Sequence, residues 1–303
     1  MDKQTAKIVA RRKREDRIFN VFGIVCTLVA LLTLALLLGD LLVTGLSRID
    51  WQFLTSFPSR KAERSGILSS WVGSLAVMCV TGFTAVPLGI AAGVYMEEYG
   101  RKGRLNTIIE VNIANLAGVP SIIYGLMALG IFVYYLGLGQ SILAGGLTLA
   151  VLILPIVIVS TREALRTVPV QIREAAYALG ASKWQVISHH LLRYSLGGIS
   201  TGVIIAISRA IGETAPLITI GALTFIAFLP PSPVTDQFPY LSTDWLHSPF
   251  AVLPIQMFNW TSRPTEDFHR NAAAAGIILI AVTLSLNAVA IFVRHRVRRH
   301  IKW

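Results

Sequence analysis

The stretch "SILAGGLTLAVLILPIVIVS", residues 141–160, has no charged side chain over its whole length. A helix needs about 20 mostly apolar residues to cross roughly 30 Å of hydrocarbon, so this stretch is long enough to span a bilayer. The whole chain is 54% hydrophobic and 14% charged, whereas a soluble domain is about 25% charged. Five further segments meet the same length requirement, at residues 18–46, 67–95, 107–136, 194–227 and 272–293. The sequence therefore predicts an all-α membrane protein with six transmembrane helices.

The basic residues are unevenly divided between the segments that separate these spans. Of the 27 Lys and Arg residues, 20 lie in the two tails and in the segments 97–106 and 161–193, and six lie on the opposite side. Because cytoplasmic segments carry the excess of Lys and Arg, both termini are predicted to be cytoplasmic. The net charge of +11 is explained by basic clusters beside spans, which contact anionic lipid head groups, and does not indicate nucleic-acid binding.

The same partition predicts two tails, a first span and a core. Residues 1–17 and 294–303 are basic cytoplasmic tails, 18–46 is the first transmembrane helix, and 67–293 is a core with five transmembrane helices, a cytoplasmic loop at 161–193 and a periplasmic loop at 228–271. Cys26 and Cys79 fall inside spans and are interpreted as packing residues. No Cys/His spacing indicates a metal site, and we predict no catalytic residue and no cofactor.

The predicted periplasmic loop is rich in proline, which excludes a long helix and favours an irregular cap. Its segment "VLPIQMFNW", residues 252–260, is compatible with a short interfacial helix. Trp245 and Trp260 suit either the membrane surface or a docking partner, and the surface is favoured.

The predicted cytoplasmic loop contains helix start and stop signals. Pro169 is well placed to begin a helix over about residues 170–179, Gly180 to end it, and Ser182 to cap a second helix. Spacing by three and four residues predicts one apolar face, made of Ile172, Ala175, Ala176 and Leu179. Periodicity leaves two placements open, since such a helix can lie flat on the bilayer or dock against a protein.

Within that loop, "EAAYALGASKW", residues 174–184, resembles the EAA loop of importer-type ABC permeases, whose short helix sits in a groove of the ATPase. The family pattern continues to an I-x-L-P ending, and the aligned positions here are His190, Leu192 and Arg193. The missing proline predicts a straight run of chain into the fifth span.

Four blocks in the same order resemble one branch of that class, the phosphate-specific permease family of the PstA type. They are "GVPSIIYGL" (118–126), "REAAYALG" (173–180), "SRAIGETAPL" (208–217) and "LPIQMFNWTSRPTEDFH" (253–269). The resemblance implies a type I ABC importer permease of MetI-like architecture that conducts inorganic phosphate. It also implies a PstC-type permease partner, two PstB-type ATPase subunits, a periplasmic PstS-type phosphate-binding protein and, as a further candidate, a PhoU-type regulator. By the same resemblance, the ATPase coupling residues are Glu174, Ala175, Ala176 and Gly180.

Arg209 is the single basic residue inside a predicted span. A helix over residues 194–227 would be about 51 Å long, which places Arg209 near the middle of the membrane. An arginine at that depth costs about 2.5–3.5 kcal/mol on insertion scales, so it should face protein or water and not lipid. Glu213 follows at i+4, on the same helical face, and can reach Arg209.

Two interpretations of this pair are open, a permanent ion pair that locks helices together and a site in an anion pathway. A pair within one helix fastens nothing to a neighbour, and Pro216 frees a backbone carbonyl beside the charges. We therefore hypothesise that Arg209 binds the anion transiently while Glu213 holds its charge between anions. Thr214, Pro216 and Ser121 are assigned to the same pathway. Arg162 and Arg166 are compatible with guiding anions, although a positive-inside role is favoured.

A different class of function is a membrane-embedded signalling or scaffold protein, whose EAA-like helix recruits a cytoplasmic regulator without transport. The chain contains no G-x-x-x-x-G-K-[ST] pattern, which agrees with a non-catalytic permease whose ATP is hydrolysed by another subunit. Neighbouring reading frames for an ATPase, a second permease and a secreted anion-binding protein would favour the importer. A secondary transporter is disfavoured because the two halves show no convincing internal repeat.

Overall fold

The computed structural model describes residues 3–100, 103–234 and 240–298. Within these residues, five helices are long and apolar enough to cross a membrane, and a sixth crossing results if two helices joined by a sharp bend count as one span. The crossings are Arg12–Arg48, Leu68–Tyr99, Asn106–Leu116 with Ser121–Tyr135, Ile142–Arg166, Lys183–Ile211 and Glu266–Arg296. The predicted all-α membrane fold is confirmed.

Helices account for most of the described chain. The α-helices are α1 (Lys3–Gly45), α2 (Trp51–Thr55), α3 (Leu68–Val94), α4 (Arg104–Leu116), α5 (Ser121–Ala128), α6 (Ile142–Arg166), α7 (Val170–Ala178), α8 (Lys183–Gln185), α9 (Leu192–Ile211), α10 (Ala215–Thr219), α11 (Leu253–Thr261) and α12 (Glu266–Arg298). α3 continues as the π-helical turn Tyr95–Tyr99, and α5 continues as the π-helix Leu129–Tyr135. The π-helix Val186–Leu191 joins α8 to α9. We call the end of the bundle where α6 stops and α8 starts the α7 end, and the opposite one the α11 end.

Three helices, α3, α6 and α9, form the centre of the bundle, and small residues let them approach closely. Gly93 of α3 lies against Thr161 of α6, where an added β-carbon would be 2.7 Å from the nearest side-chain atom, and Gly89 contacts the same helix one turn earlier. Small residues four positions apart are typical of such close contacts between membrane helices. Gly202 of α9 lies against Ser160 of α6, and the two helices run in opposite directions.

The third predicted span, residues 107–136, is not one straight helix. α4 ends at Leu116, α5 begins at Ser121, and the two parts are bent by 104°. Pro120, just before α5, has φ −54° and ψ 132°. Proline cannot donate to a helical hydrogen bond and disfavours helical geometry in the residue before it. Ser121 is therefore the first residue of a helix and not a position inside one.

The fifth predicted span, residues 194–227, differs from expectation at both ends. Its helix starts at Lys183 and runs unbroken to Ile211, which confirms the straight run predicted from the missing proline. The helix stops at Gly212, and a short helix, α10, starts at Ala215. Pro216 lies in the first turn of α10, where its missing N–H leaves no hydrogen bond unmade. Pro216 therefore helps begin a helix and does not kink a continuous one.

The segment between α10 and α12 contributes α11 to a second core, so α11 is not the expected interfacial helix. Trp260 is 0% exposed and packs between Phe53 and Phe268, with ring centroids at 6.0 and 6.5 Å. The surface placement of Trp260 is wrong, because α2 and the start of α12 enclose it. Trp245 is half-buried and packs against the central core.

α1 contacts the rest of the described chain mainly near its C-terminal end. Gly45 packs against the backbone of Ala273 and Ala274 in α12, where an added β-carbon would be 2.7 Å away. Cys26 of α1 and Cys79 of α3 are both exposed. These cysteines, interpreted as packing residues, do not pack against the described part of this chain, because each lies on an outward apolar surface, which lipid can cover.

Candidate anion pathway and coupling surface

Arg209 stands in the last turn of α9, level with the middle of the bundle. It lies about 10 Å beyond Gly202 along α9, and Gly202 contacts Ser160 of α6. Because the helices are antiparallel, the same distance along α6 leads to Ile153, near the centre of Ile142–Arg166. Each end of α6 is therefore about 16–20 Å from the level of Arg209.

The guanidinium of Arg209 contacts the carboxylate that the sequence predicted. Its Nε donates to Oε1 of Glu213 at 3.3 Å, and the two side chains are 40% and 18% exposed. The predicted contact is confirmed, but its predicted geometry is wrong, since Glu213 lies in the break after α9 and not on the face of a continuous helix. In the part of the chain that the structure describes, no second acidic side chain lies within ion-pair distance of Arg209.

The break after α9 turns the chain so that α10 packs on α5. Pro216 is buried, and its Cα would be 2.6 Å from a β-carbon added to Gly125. Only glycine allows this approach. Thr214, just before α10, is partly buried, and Ser121, one turn before Gly125, is partly exposed. The structure therefore joins the α9–α10 break to the helix that begins with Ser121.

Tyr124 is a residue of this region that sequence reasoning did not identify. Its hydroxyl donates to the carbonyl of Leu116 at 2.7 Å, which ties the start of α5 to the end of α4. The residue is 5% exposed. The available signal was a hydroxyl-bearing aromatic residue four positions after Pro120.

We expect Gly125→Val to separate α5 from α10. Its side chain would collide with the Pro216 backbone, and overpacking of this kind costs about 1–3 kcal/mol. The melting temperature of the purified protein in detergent should therefore fall. Gly130→Val is the matched control, because no atom lies within 4 Å of an added β-carbon there. Equal melting temperatures for the two variants would contradict the close approach.

The EAA segment forms the predicted helix and turn. Gly180 has φ +81°, a left-handed conformation that favours glycine at a helix end. Ser182 caps the next helix in a capping box with Gln185. Glu174 is exposed.

The predicted apolar face of α7 is only partly correct. Ala176 is 5% exposed and packs with Ile172 against the α7 end of the bundle, but Ala175 is exposed and Leu179 is 89% exposed. The face differs because α7 is short and Leu179, its C-terminal neighbour, no longer follows the helix.

Large apolar side chains are exposed on both sides of this turn. Tyr177 is 46% exposed, Leu179 89% and Trp184 63%. Exposed aromatic and aliphatic groups in close succession are typical of a docking surface. We call these three residues, together with Glu174 and Ala175, the coupling surface.

Arg162 and Arg166 are not available as free cations. Both form ion pairs with Glu97 and Glu110, and Arg166 also pairs with Glu163. The suggestion that they guide anions is therefore wrong, because carboxylates from other elements neutralise them. Sequence analysis did not identify Glu97 or Glu110 as partners of these arginines, because their spacing does not show that they pack against α6.

Residues 85–303 match the family described as the binding-protein-dependent transport system inner membrane component. The chain belongs to this family. It is accordingly a multi-pass protein of the inner membrane. The match contains the bent α4–α5 pair, the coupling surface and the Arg209–Glu213 pair, so the geometry above lies within the family's shared region.

Several curated relatives extend the match toward the N-terminus. The chain is 35% identical over 287 residues to the phosphate transport system permease protein PstA of Yersinia pestis, covering 93% of this chain and 90% of the relative. It is 34% identical to the protein of the same name from Xylella fastidiosa, covering 85% of each. It is 29% identical to the probable ABC transporter permease protein YqgI of Bacillus subtilis, covering 91% and 95%.

A solved structure shares the fold. A chain of the MetNI methionine ABC transporter in an inward-facing conformation aligns with a TM-score of 0.55 and 19% identity, covering 76% of this chain and 94% of that chain. The predicted MetI-like permease architecture is confirmed.

Proposed function

We propose that this chain is the permease subunit of an ATP-driven importer that moves inorganic phosphate from a periplasmic binding protein across the inner membrane. The names and the 34–35% identity of the PstA relatives support phosphate as the substrate. We propose the remaining assembly as a PstC-type permease, two PstB-type ATPase subunits and a PstS-type binding protein, with a PhoU-type regulator as a further partner. The excess of basic residues at the α7 end supports a cytoplasmic position for that end and for both termini.

The observation that carries this proposal is a guanidinium at mid-depth that remains 40% exposed in the single chain. Exposure of Arg209 to hydrocarbon would be costly, so protein or water must cover it in the membrane. Its partner Glu213 is in the same chain segment and ties α9 to no other helix, which disfavours a locking role. A second permease subunit facing this surface would enclose an aqueous path beside Arg209.

The chemistry of the pair suits a protonated oxyanion. A guanidinium binds two oxygens of such an ion at once. Glu213 repels a fully deprotonated anion, yet it accepts a hydrogen bond from the hydroxyl of protonated phosphate. The same repulsion keeps binding weak enough for release. Thr214 and Ser121 supply hydroxyl groups near this position, and Pro216 fixes the turn that presents them.

We propose that the coupling surface docks the ATPase. Glu174 is exposed and can accept hydrogen bonds there, while Ala175 allows close approach and Gly180 holds the turn. Ala176 fastens α7 to the bundle from the other side. Closure of the ATPase dimer would move α7 and so alternate access to Arg209. The permease core would then comprise residues 67–293.

Uptake by the complete complex in lipid vesicles tests the function. We expect accumulation of labelled phosphate that requires ATP and the binding protein. Arsenate should compete, because it is also protonated near neutral pH, and sulfate should not compete, because it is fully deprotonated. Absence of ATP-dependent uptake, or equal competition by sulfate, would contradict the proposal; the first outcome would favour the scaffold function.

A further inference from the structure

The π-helical turn at the end of α3, Tyr95–Tyr99, holds two adjacent carboxylates that bind different parts of the chain. Glu97 contacts the arginines of α6, and Glu98 contacts α7. Neither permeation nor docking of the ATPase, as described above, uses these residues. π-Helical turns occur frequently at functional sites, and here the turn directs neighbouring side chains to separate elements.

Glu97 belongs to a cluster that joins three elements. Its Oε2 lies 3.1 Å from Nε of Arg166 and 3.5 Å from Nε of Arg162. Glu110 of α4 contacts the same two guanidinium groups, at 3.3 and 3.1 Å. Arg162 is only 5% exposed, and a buried charge that loses its partner is strongly destabilising. The cluster therefore holds α4 to α6 and to the end of α3.

Glu98 attaches the same turn to the EAA segment. Its Oε1 accepts a hydrogen bond from Nη2 of Arg173 in α7 at 2.9 Å, and the two side chains are 10% and 22% exposed. The carbonyl oxygen of Glu98 also accepts from Nζ of Lys183, which lies 4.5 Å from the ring centroid of Tyr99. Arg173 before the Gly180 turn and Lys183 after it therefore both contact the same π-helical turn.

We propose that Glu97 and Glu98 are positioning residues that couple movement of α7 to movement of α4 and α5. The inference rests on the proposed function, in which an ATPase displaces α7. When α7 moves, the contact between Arg173 and Glu98 moves the π-helical turn Tyr95–Tyr99. The ion pairs of Glu97 and Glu110 with the arginines of α6 then transmit this movement to α4. α4 leads through the bend to α5, whose Gly125 contacts α10 beside Arg209.

Two of these pairs have poor solvent access, Arg162–Glu97 at 5% and 19% exposure and Arg173–Glu98 at 22% and 10%. Opposite charges in a medium of low polarity attract more strongly than at an exposed surface, so one partner follows the other. Nε of Arg173 has no hydrogen-bond partner among the described residues, and Nε of Arg162 lies 3.5 Å from Oε2 of Glu97 without forming a hydrogen bond.

Glu98→Gln in the complete importer, reconstituted in vesicles, tests the coupling. We expect ATP hydrolysis to continue while the phosphate imported per ATP falls about 2- to 30-fold, the range found for residues that carry coupling. Arg173→Gln should behave alike. The exchange variant, Glu98→Arg with Arg173→Glu, should recover part of the phosphate imported per ATP, which would show that the loss comes from the missing contact between these two side chains.

Glu163→Gln is the matched control. Glu163 pairs with Arg166 at 2.8 Å, but it is 62% exposed and belongs to the same helix. It links no two elements, so the ratio should not change. The proposal is overturned by a normal ratio in Glu98→Gln, or by a loss that the exchange variant does not relieve. Failure of the unmodified complex to import phosphate would instead count against the proposed function.

A distance measurement needs neither a variant of the cluster nor knowledge of the substrate. Spin labels on Thr107→Cys of α4 and Gln171→Cys of α7, both exposed positions, are introduced after Cys26→Ser and Cys79→Ser. Because α4 and α7 share one anchor, the distance between labels should be the same with and without ATP. A distance that changes with ATP would show that α7 moves independently of α4 and would overturn the proposal.

Discussion

Arg209→Gln is expected to reduce phosphate uptake about 10- to 150-fold, the loss that follows when a hydrogen bond to a charged group is removed. Glutamine keeps a polar side chain but supplies neither the positive charge nor two parallel donors. Arg209→Lys keeps the charge without the planar fork and should show a smaller loss. Initial rates of labelled phosphate uptake by vesicles that contain equal amounts of complex measure both effects.

Arg270→Gln is the matched control for this change. Arg270 lies at the α11 end, is 59% exposed and is 3.9 Å from its partner Asp267, so its contribution to stability is small. Its uptake should equal that of the unmodified protein. Near-normal phosphate uptake by the Arg209→Gln variant, with normal amounts of the protein in the membrane, would show that Arg209 is not part of the anion pathway.

The second large effect is expected from Leu179→Asp. Leu179 is 89% exposed, so the change should not disturb the fold of the permease. If Leu179 is an anchor of the coupling surface, an aspartate there should weaken binding of the ATPase subunit by about 30-fold or more, the range for a central interface residue. Titration of the purified ATPase subunit against the permease in lipid nanodiscs measures the affinity.

Leu179→Met is the control for Leu179→Asp, because it preserves an apolar side chain of similar volume and should bind normally. Trp184→Asp extends the test to the other side of the turn, where the indole is 63% exposed. Unchanged affinity in both aspartate variants would show that the ATPase docks elsewhere.

Residue spacing alone predicted several features of the candidate site. Pro169 and Gly180 marked the ends of α7, since a missing N–H and a left-handed conformation are properties of the residue itself. The contact between Arg209 and Glu213 was predicted from their separation of four positions. The structure contains this contact although the helix ends at Gly212. Such features depend on neighbours in the chain.

Other features could not be obtained from spacing. Trp260 resembles an interfacial anchor until Phe53 and Phe268 are seen to enclose it. Arg162 resembles one more positive-inside residue until Glu97 and Glu110 are placed beside it. In each case at least one deciding partner comes from a distant part of the chain.

The sequence by itself determined the membrane class and the apolar segments that are long enough to cross a bilayer, because transfer free energy and helix rise are properties of single residues and short segments. Only the tertiary structure decided that α10 packs on α5, that Leu179 is exposed, and that one π-helical turn connects α7 with α4. These depend on which surfaces meet, and many arrangements of helices bury similar apolar surface until particular contacts, such as Gly125 against Pro216, select one of them.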